Sequence, residues 1–172
     1  MSTPPTADNT LQSPILIMAK RAALMRAQGR DVIDLTLGEP DFNAPPHVLE
    51  AAHTALSGRL TYSPSNGIEP LRHAIRMRMK DIRNLDYADD QVTVGCGAKQ
   101  IIYNAFQATL KSGDEVIVPA PYWASYPAMI KMCGARPLIV STTRGEGFRL
   151  TAEHLEAALR LAKSPKWVVL NA

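Results

Sequence analysis

A chain of 172 residues with 46% apolar and 20% charged side chains can bury one sizeable core, which excludes a disordered or fibrous polypeptide. Nineteen basic against sixteen acidic groups leave a net charge of only +3, so charge gives no support to a nucleic-acid-binding function.

The amino-terminal residues 1–14 are rich in Pro, Thr and Ser and read as an arm. MSTPPTADNT lacks the apolar core of a signal peptide, and no later stretch is long and apolar enough to span a bilayer. Cys96 and Cys133 stand far apart without a second pair, which suggests neither a disulfide framework nor a zinc site. A cytoplasmic location, with neither membrane nor nucleic acid as partner, is the expectation. Helical spacing and the stop signal at Gly29 predict a helix over 15–28, and VIDLTLGEPDF reads as an extended segment entering a turn. Val48, Leu49, Ala52 and Leu56 mark a second helix, ending at Gly58. Leu71, Ile75, Met79 and Ile82 mark a third, whose Arg72, Arg76, Arg78, Lys80 and Arg83 read as a solvated basic face. LTYSPSNG between them is loop.

From residue 91 apolar runs alternate with helical patterns: QVTVG, a helix over 99–110, EVIVP, a helix around 127–132, RPLIVS, a helix over 152–162, and KWVVL. Strands so uniformly apolar are buried on both faces, as in a parallel sheet with helical crossovers. Thr151 is a suitable N-cap for the last helix, and Glu153 lies where the positive end of that helix favours an acid. The fold class is α/β.

VTVGCGAKQII, residues 92–102, combines a short apolar run, two glycines and a helix start. Backbone N–H groups at such a turn donate to anions, making Gly95, Gly97, Ala98 and Lys99 a candidate phosphate cradle. A dinucleotide site wants a third small residue where Gln100 stands and an acid about twenty residues on, where the second strand ends in Pro119. The motif alone is equally compatible with a purely structural turn.

GEPDF at 38–42, TYSPSNG at 61–67, GAKQ at 97–100, GDEVIVPAPYWASYP at 113–127 and WVVLNA at 167–172 follow one another in order. Together they resemble the aspartate-aminotransferase-like class I aminotransferases, pyridoxal-phosphate enzymes of fold type I, over a stretch from about Ser13 to the last residue. The resemblance implies an incomplete fold type I large domain over 46–172, its parallel sheet joined by helical crossovers, preceded by an amino-terminal helical arm and small-domain segment over 1–45. It implies a transaminase of amino acid metabolism acting on an amino acid and a 2-oxo acid, homodimeric when intact, with pyridoxal 5′-phosphate as cofactor.

On that resemblance Gly97, Ala98 and Lys99 hold the cofactor's 5′-phosphate through backbone N–H groups, so the turn serves a phosphate monoester and not a pyrophosphate. Trp123 stacks on the cofactor ring and borders the substrate. Gly38 leaves its backbone open to the substrate's α-carboxylate, and Tyr62 reaches the cofactor phosphate across the subunit interface. The bland alternatives are a partly buried core tryptophan, a turn-shaping glycine and an exposed loop tyrosine. No metal ligand is implied.

Family members also need a lysine that binds the cofactor covalently and an acid on its ring nitrogen. The resemblance puts both, together with the asparagine of an Asn-Pro-Thr-Gly-like motif and a carboxylate-clamping arginine, beyond Ala172, and Asn171 only begins that motif. Lys20, Lys80, Lys99, Lys111, Lys131, Lys163 and Lys166 all lie outside the expected context, so the chain carries no catalytic residue on this reading. The chain is expected to be an amino-terminal fragment, inactive alone. A non-catalytic remnant acting in binding or subunit interaction is the alternative, and a nicotinamide-dependent enzyme a third reading opposed by the missing ribose acid.

Overall fold

The computed structural model describes residues 14–59 and 61–171. The arm expected at residues 1–14 therefore lies almost wholly outside the described residues. Two compact units are formed: one from the residues up to Gly38 together with Ile102 onward, the other from Glu39–Ile101.

The first unit holds helix α1 (Pro14–Ala27) and the carboxy-terminal part of α4 (Ala98–Thr109). Strand β1 (Glu115–Ala120), helix α5 (Ser125–Met132), strand β2 (Arg136–Ser141), helix α6 (Ala152–Leu161) and strand β3 (Pro165–Val168) follow. The sheet has order β2-β1-β3 with both pairings parallel; Glu115 lies opposite Arg136 and opposite Pro165. Parallel neighbours need crossovers, and α5 and α6 supply them. β1 is central and is the strand buried on both faces; β2 and β3, expected from their apolar runs to be buried likewise, are mostly exposed or half-buried because each lies at an edge of the sheet. Val116 and Val118 face a cluster of Phe106, Leu110, Tyr126, Met129, Ile130 and Ala135, while Ile117, which alternation turns to the other face, is buried as well. Each fully buried side chain of this size contributes about 1.5–3 kcal/mol. Pro127 stands in the first turn of α5, where its missing N–H leaves no helical bond unmade.

Thr151 caps α6 as the sequence predicts: its hydroxyl accepts from the His154 N–H at 3.3 Å, and the Thr151 N–H donates to His154 Nδ1 at 3.4 Å. At the amino end of the sheet Glu115, only 2% exposed, is paired by its carboxylate with the Arg136 guanidinium. The same carboxylate accepts from the backbone N–H groups of Lys163 at 2.7 Å and Ser164 at 3.1 Å. One buried acid thereby ties β1 to β2 and to the turn before β3. Burial pushes its pKa up, but the Ser164 N–H, Arg136 and the Lys163 N–H outweigh that and hold it below the usual glutamate value.

The second unit contains α2 (Pro46–Leu56), α3 (Glu69–Arg83) and the amino-terminal turn of α4. The basic residues of α3 do more than face solvent. Arg72 Nη1 donates to the Asp89 carbonyl at 2.6 Å, Arg76 bonds the Tyr87 carbonyl and reaches Asp89 Oδ1 at 2.5 Å, and Lys80 pairs with Asp86 at 3.2 Å. Three of the five cations thus clamp the turn that feeds residues 92–97.

QVTVG is the one expected strand that is not formed: residues 92–95 carry no strand assignment. An apolar run becomes a strand only beside a partner ladder, and the described ladders join β1, β2 and β3 alone. The Val94 N–H instead donates to the Asn66 carbonyl at 3.1 Å.

Candidate functional site

The turn into α4 separates the roles of its two glycines. Gly97 has φ +84°, and a Cβ added there would meet no heavy atom within 4 Å. Its backbone therefore requires glycine and leaves the space before it open. A Cβ on Gly95 would instead lie 2.6 Å from Ile101 Cδ1 and 2.8 Å from Gln100 Oε1, so a side chain there would force the ends of those two side chains to shift. Gln100, which occupies the place of a small dinucleotide-motif residue, folds its side-chain oxygen back to accept from the Cys96 N–H at 2.5 Å. The first turn of α4 carries no acidic residue. A helix start concentrates partial positive charge and N–H groups without intrahelical partners, and Lys99 adds a formal cation there. The Gly97 N–H itself donates to the Gly95 carbonyl at 2.8 Å, so Gly97 contributes space while the helix start over Ala98 and Lys99 contributes positive potential, an arrangement that fits a single phosphate group.

Tyr62 lies in the loop that enters the same unit's cradle region from α2, and it is fully exposed, at 104% of the reference area. Asn66 and Gly67, at the end of that loop, dock on Val94, three residues before Gly97: Asn66 through the hydrogen bond just described, Gly67 through direct contact. The loop bearing Tyr62 is thereby registered against the segment leading into the cradle.

In the first unit Trp123 follows β1, which leaves through a cis Ala120–Pro121 bond. Since β1 and β3 run parallel, Trp123 and Asn171 both lie off the carboxyl end of the sheet, where ligands of open α/β sheets bind. The half-buried indole meets the Tyr126 ring edge to face at 5.4 Å and 90°, and Tyr126 Oη donates to Asn171 Oδ1 at 3.2 Å. Trp167, the second indole, is half-buried against the core: it packs on Phe106 and donates from Nε1 to Thr109 Oγ1 at 2.9 Å.

Gly38 lies in the extended segment after α1, with no heavy atom within 4 Å of an added Cβ and without a positive φ. Its approach is set by Asp34, which sequence reading did not single out. Asp34 Oδ1 accepts from Thr36 Oγ1 at 2.6 Å and the Thr36 N–H at 3.0 Å, and its other oxygen pairs with Arg26 of α1. The Thr36 hydroxyl and N–H, aided by Arg26, hold the Asp34 carboxyl below the ordinary aspartate value. The legible signal was an Asp two residues before a Thr just ahead of a glycine turn, the spacing of a side-chain-to-backbone turn.

Among the described residues no group of His, Cys, Asp and Glu has metal-binding geometry, and no helix is long and apolar enough to cross a membrane.

A parallel sheet with helical crossovers defines an α/β protein. Comparison with known proteins specifies it further. A family described as aminotransferase class I and II matches residues 30–172, and the chain belongs to that family. It is 44% identical over 160 residues to a probable aspartate/prephenate aminotransferase of Rhizobium leguminosarum bv. phaseoli, covering 92% of this chain and 40% of that protein. It is likewise 44% identical to an aspartate aminotransferase of Rhizobium meliloti, over 92% of this chain and 38% of the relative. The crystal structure of the aspartate aminotransferase from Rhizobium meliloti superimposes with a TM-score of 0.89 at 41% identity, covering 99% of this chain and 43% of that one. A single mutant of the Thermus thermophilus enzyme gives a TM-score of 0.87 at 36% identity, over 99% and 45%. The likeness gives the chain the α/β fold of the amino-terminal part of fold type I aminotransferases, and the chain spans about 40% of the length of the curated relatives it matches. The family is one of generally pyridoxal-phosphate-dependent enzymes acting on amino acids and 2-oxo acids.

Proposed function

We propose that the chain is the amino-terminal part of an aspartate-aminotransferase-like enzyme that moves an amino group between an amino acid and a 2-oxo acid, and that it is inactive alone. The observation that carries this reading is the open, positive-φ backbone at Gly97 where α4 begins, in a chain of this family. Residues 46–172 would belong to the cofactor-binding large domain and residues 1–45 to the arm and small domain. The parent enzyme would be a cytoplasmic homodimer.

When bound, pyridoxal 5′-phosphate supplies an electron sink for charge developing at the substrate's α-carbon. In this reading Gly97, Ala98 and Lys99 hold the 5′-phosphate. Gly97 lets the backbone approach, and the N–H groups that follow neutralise charge without any need for a general acid. Trp123 orients the cofactor plane and borders the substrate, Gly38 leaves room for the α-carboxylate at its backbone, and Tyr62 donates to the phosphate of the partner subunit. Its full exposure suits a residue that works across an interface. The lysine and the acid that complete the chemistry belong to the part of the parent that this chain does not span.

The test completes the chain to the length of its relatives, either with its own downstream coding sequence or with the carboxy-terminal part of the Rhizobium meliloti aspartate aminotransferase. The completed protein should bind pyridoxal 5′-phosphate and transaminate aspartate or a related amino acid. The pure 172-residue chain should show no turnover. Steady transamination by the short chain, or a completed protein that folds yet binds no cofactor, would contradict the reading.

A further inference from the structure

Tyr126 is where the main chain, the aromatic contact and the polar network at the carboxyl end of the sheet converge. It is 7% exposed and belongs to the core cluster with Val116, Val118 and Ile130, so its own ring is seated by packing. Its N–H donates to the Trp123 carbonyl at 3.0 Å, while its ring meets the indole at 5.4 Å and 90°. Both the backbone and the side chain of Trp123 are therefore referred to one rigid residue, although Trp123 itself lies in an irregular connection. The hydroxyl then reaches outward to Asn171 at 3.2 Å, in the equally irregular segment that follows β3. Two loops leaving two different strands are joined through a single side chain.

We propose that Tyr126 is a positioning residue for the cofactor site: its ring fixes the plane of the Trp123 indole, and its hydroxyl fixes the segment at Asn171 relative to that plane. The proposal rests on the reading of Trp123 as the surface that orients the cofactor. A buried tyrosine needs a partner for its hydroxyl in any case, and a core role alone would be satisfied by any acceptor. What distinguishes Tyr126 is that its two partners are the aromatic platform and the start of the segment expected to approach the same ligand. An edge-to-face contact is directional and resists rotation of the indole. A neutral hydrogen bond adds a smaller, separable effect.

The experiment uses the completed protein, with pyridoxal 5′-phosphate as the probe, and reads two quantities apart from turnover: the dissociation constant of the cofactor and the visible circular dichroism of the bound cofactor, which reports its orientation in an asymmetric site. Tyr126→Leu should weaken binding roughly tenfold and alter the dichroic band. Tyr126→Phe keeps the ring contact; it and Asn171→Ala should each weaken binding about threefold, and the double variant should be no weaker than either, because both delete the same bond. If Tyr126→Leu fails to fold, Tyr126→Phe and the double variant still decide the hydroxyl's role. A folded Tyr126 variant with a lower melting temperature but unchanged affinity and dichroism would overturn the proposal, provided Trp123→Ala alters both readouts. Should Trp123→Ala alter neither, the reading of the platform itself fails, and this inference falls with it.

Discussion

Gly67 and Val94 touch so closely that no side chain fits at Gly67: an added Cβ would lie 2.8 Å from Val94 Cβ and 2.9 Å from its Cγ2. The same residue has φ +97°, a backbone conformation that L side chains rarely adopt. The contact matters because Val94 is three residues from Gly97, and Gly67 closes the loop that bears Tyr62. Local geometry thus binds two of the sequence-predicted site elements into one unit.

Gly67→Ala should therefore be strongly destabilising. Neither Cβ can rotate away, so the loop or the Val94 segment must move, and the positive φ adds conformational strain. A loss of about 2–4 kcal/mol is expected from overpacking and strain together. Denaturant unfolding of the completed protein measures it, and a loss below about 0.5 kcal/mol would show that the loop yields freely.

At Gly97 the cost has a different origin. No atom stands near an added Cβ, so Gly97→Ala is penalised only by its φ of +84°, by about 1–2 kcal/mol. Relief of that strain rotates the peptide units leading into Ala98, and the affinity for pyridoxal 5′-phosphate should fall by a factor comparable to the stability loss, roughly tenfold. Gly97→Asn, which tolerates the left-handed region better, should lose less of both. Equal affinities for the wild-type protein and both variants would place the phosphate elsewhere.

The helices, the central strand and the glycine turn before α4 were legible because each rests on local chemistry. Val116, Ile117 and Val118 form an unbroken apolar run, Thr151 caps its own helix, and glycines bracket the start of α4. What was not legible depends on partners far along the chain. QVTVG has the composition of a strand, but strand formation is a property of two segments, and the Val94 N–H goes to Asn66 instead. Arg72 and Arg76 looked like a solvated face because helical spacing cannot reveal that the turn at Tyr87–Asp89 folds back onto them. Tyr126 carries no signal of its own beside Trp123, since nothing in a sequence announces that its hydroxyl meets a residue 45 positions away.

The Glu115 clamp predicts how stability responds to acid. Its carboxylate has a folded pKa below its ordinary value of 4.5, so the charged form favours the folded state. That contribution is fully present above about pH 4.5 and is lost as the pH falls through the lowered folded value. Glu115→Gln should unfold at lower denaturant concentration than the wild-type completed protein at neutral pH, and the difference should shrink as the solution is acidified below that point. A gap that stays constant, or widens, with acid would mean that Glu115 contributes by packing and not by charge.

The last prediction concerns the 172-residue chain alone, and it follows from what its sheet leaves uncovered. With order β2-β1-β3, only β1 has a neighbour on both sides among the described residues, so the outer edges of β2 and β3 present backbone N–H and C=O groups to whatever adjoins them. Side chains tell the same story: Ile139 on β2 and Val168 on β3 are exposed, and Ile33, Leu35 and Phe42 are 86–88% exposed along the segment that carries Gly38. Monomeric proteins rarely leave so many large apolar groups in water. At roughly 25 cal/mol per Å² of apolar area, covering them is worth an amount comparable with the 5–15 kcal/mol that ordinarily separates a folded domain from its unfolded state. The isolated chain should accordingly show no cooperative thermal transition, or form aggregates through its open strand edges. Co-expression with the carboxy-terminal part of an aspartate aminotransferase should restore solubility and a single sharp transition. Calorimetry and light scattering on the two preparations decide the matter: a soluble monomer of the short chain that unfolds sharply and reversibly would mean that these exposed surfaces need no cover, and would favour an independent, non-catalytic binding protein over a part of an enzyme.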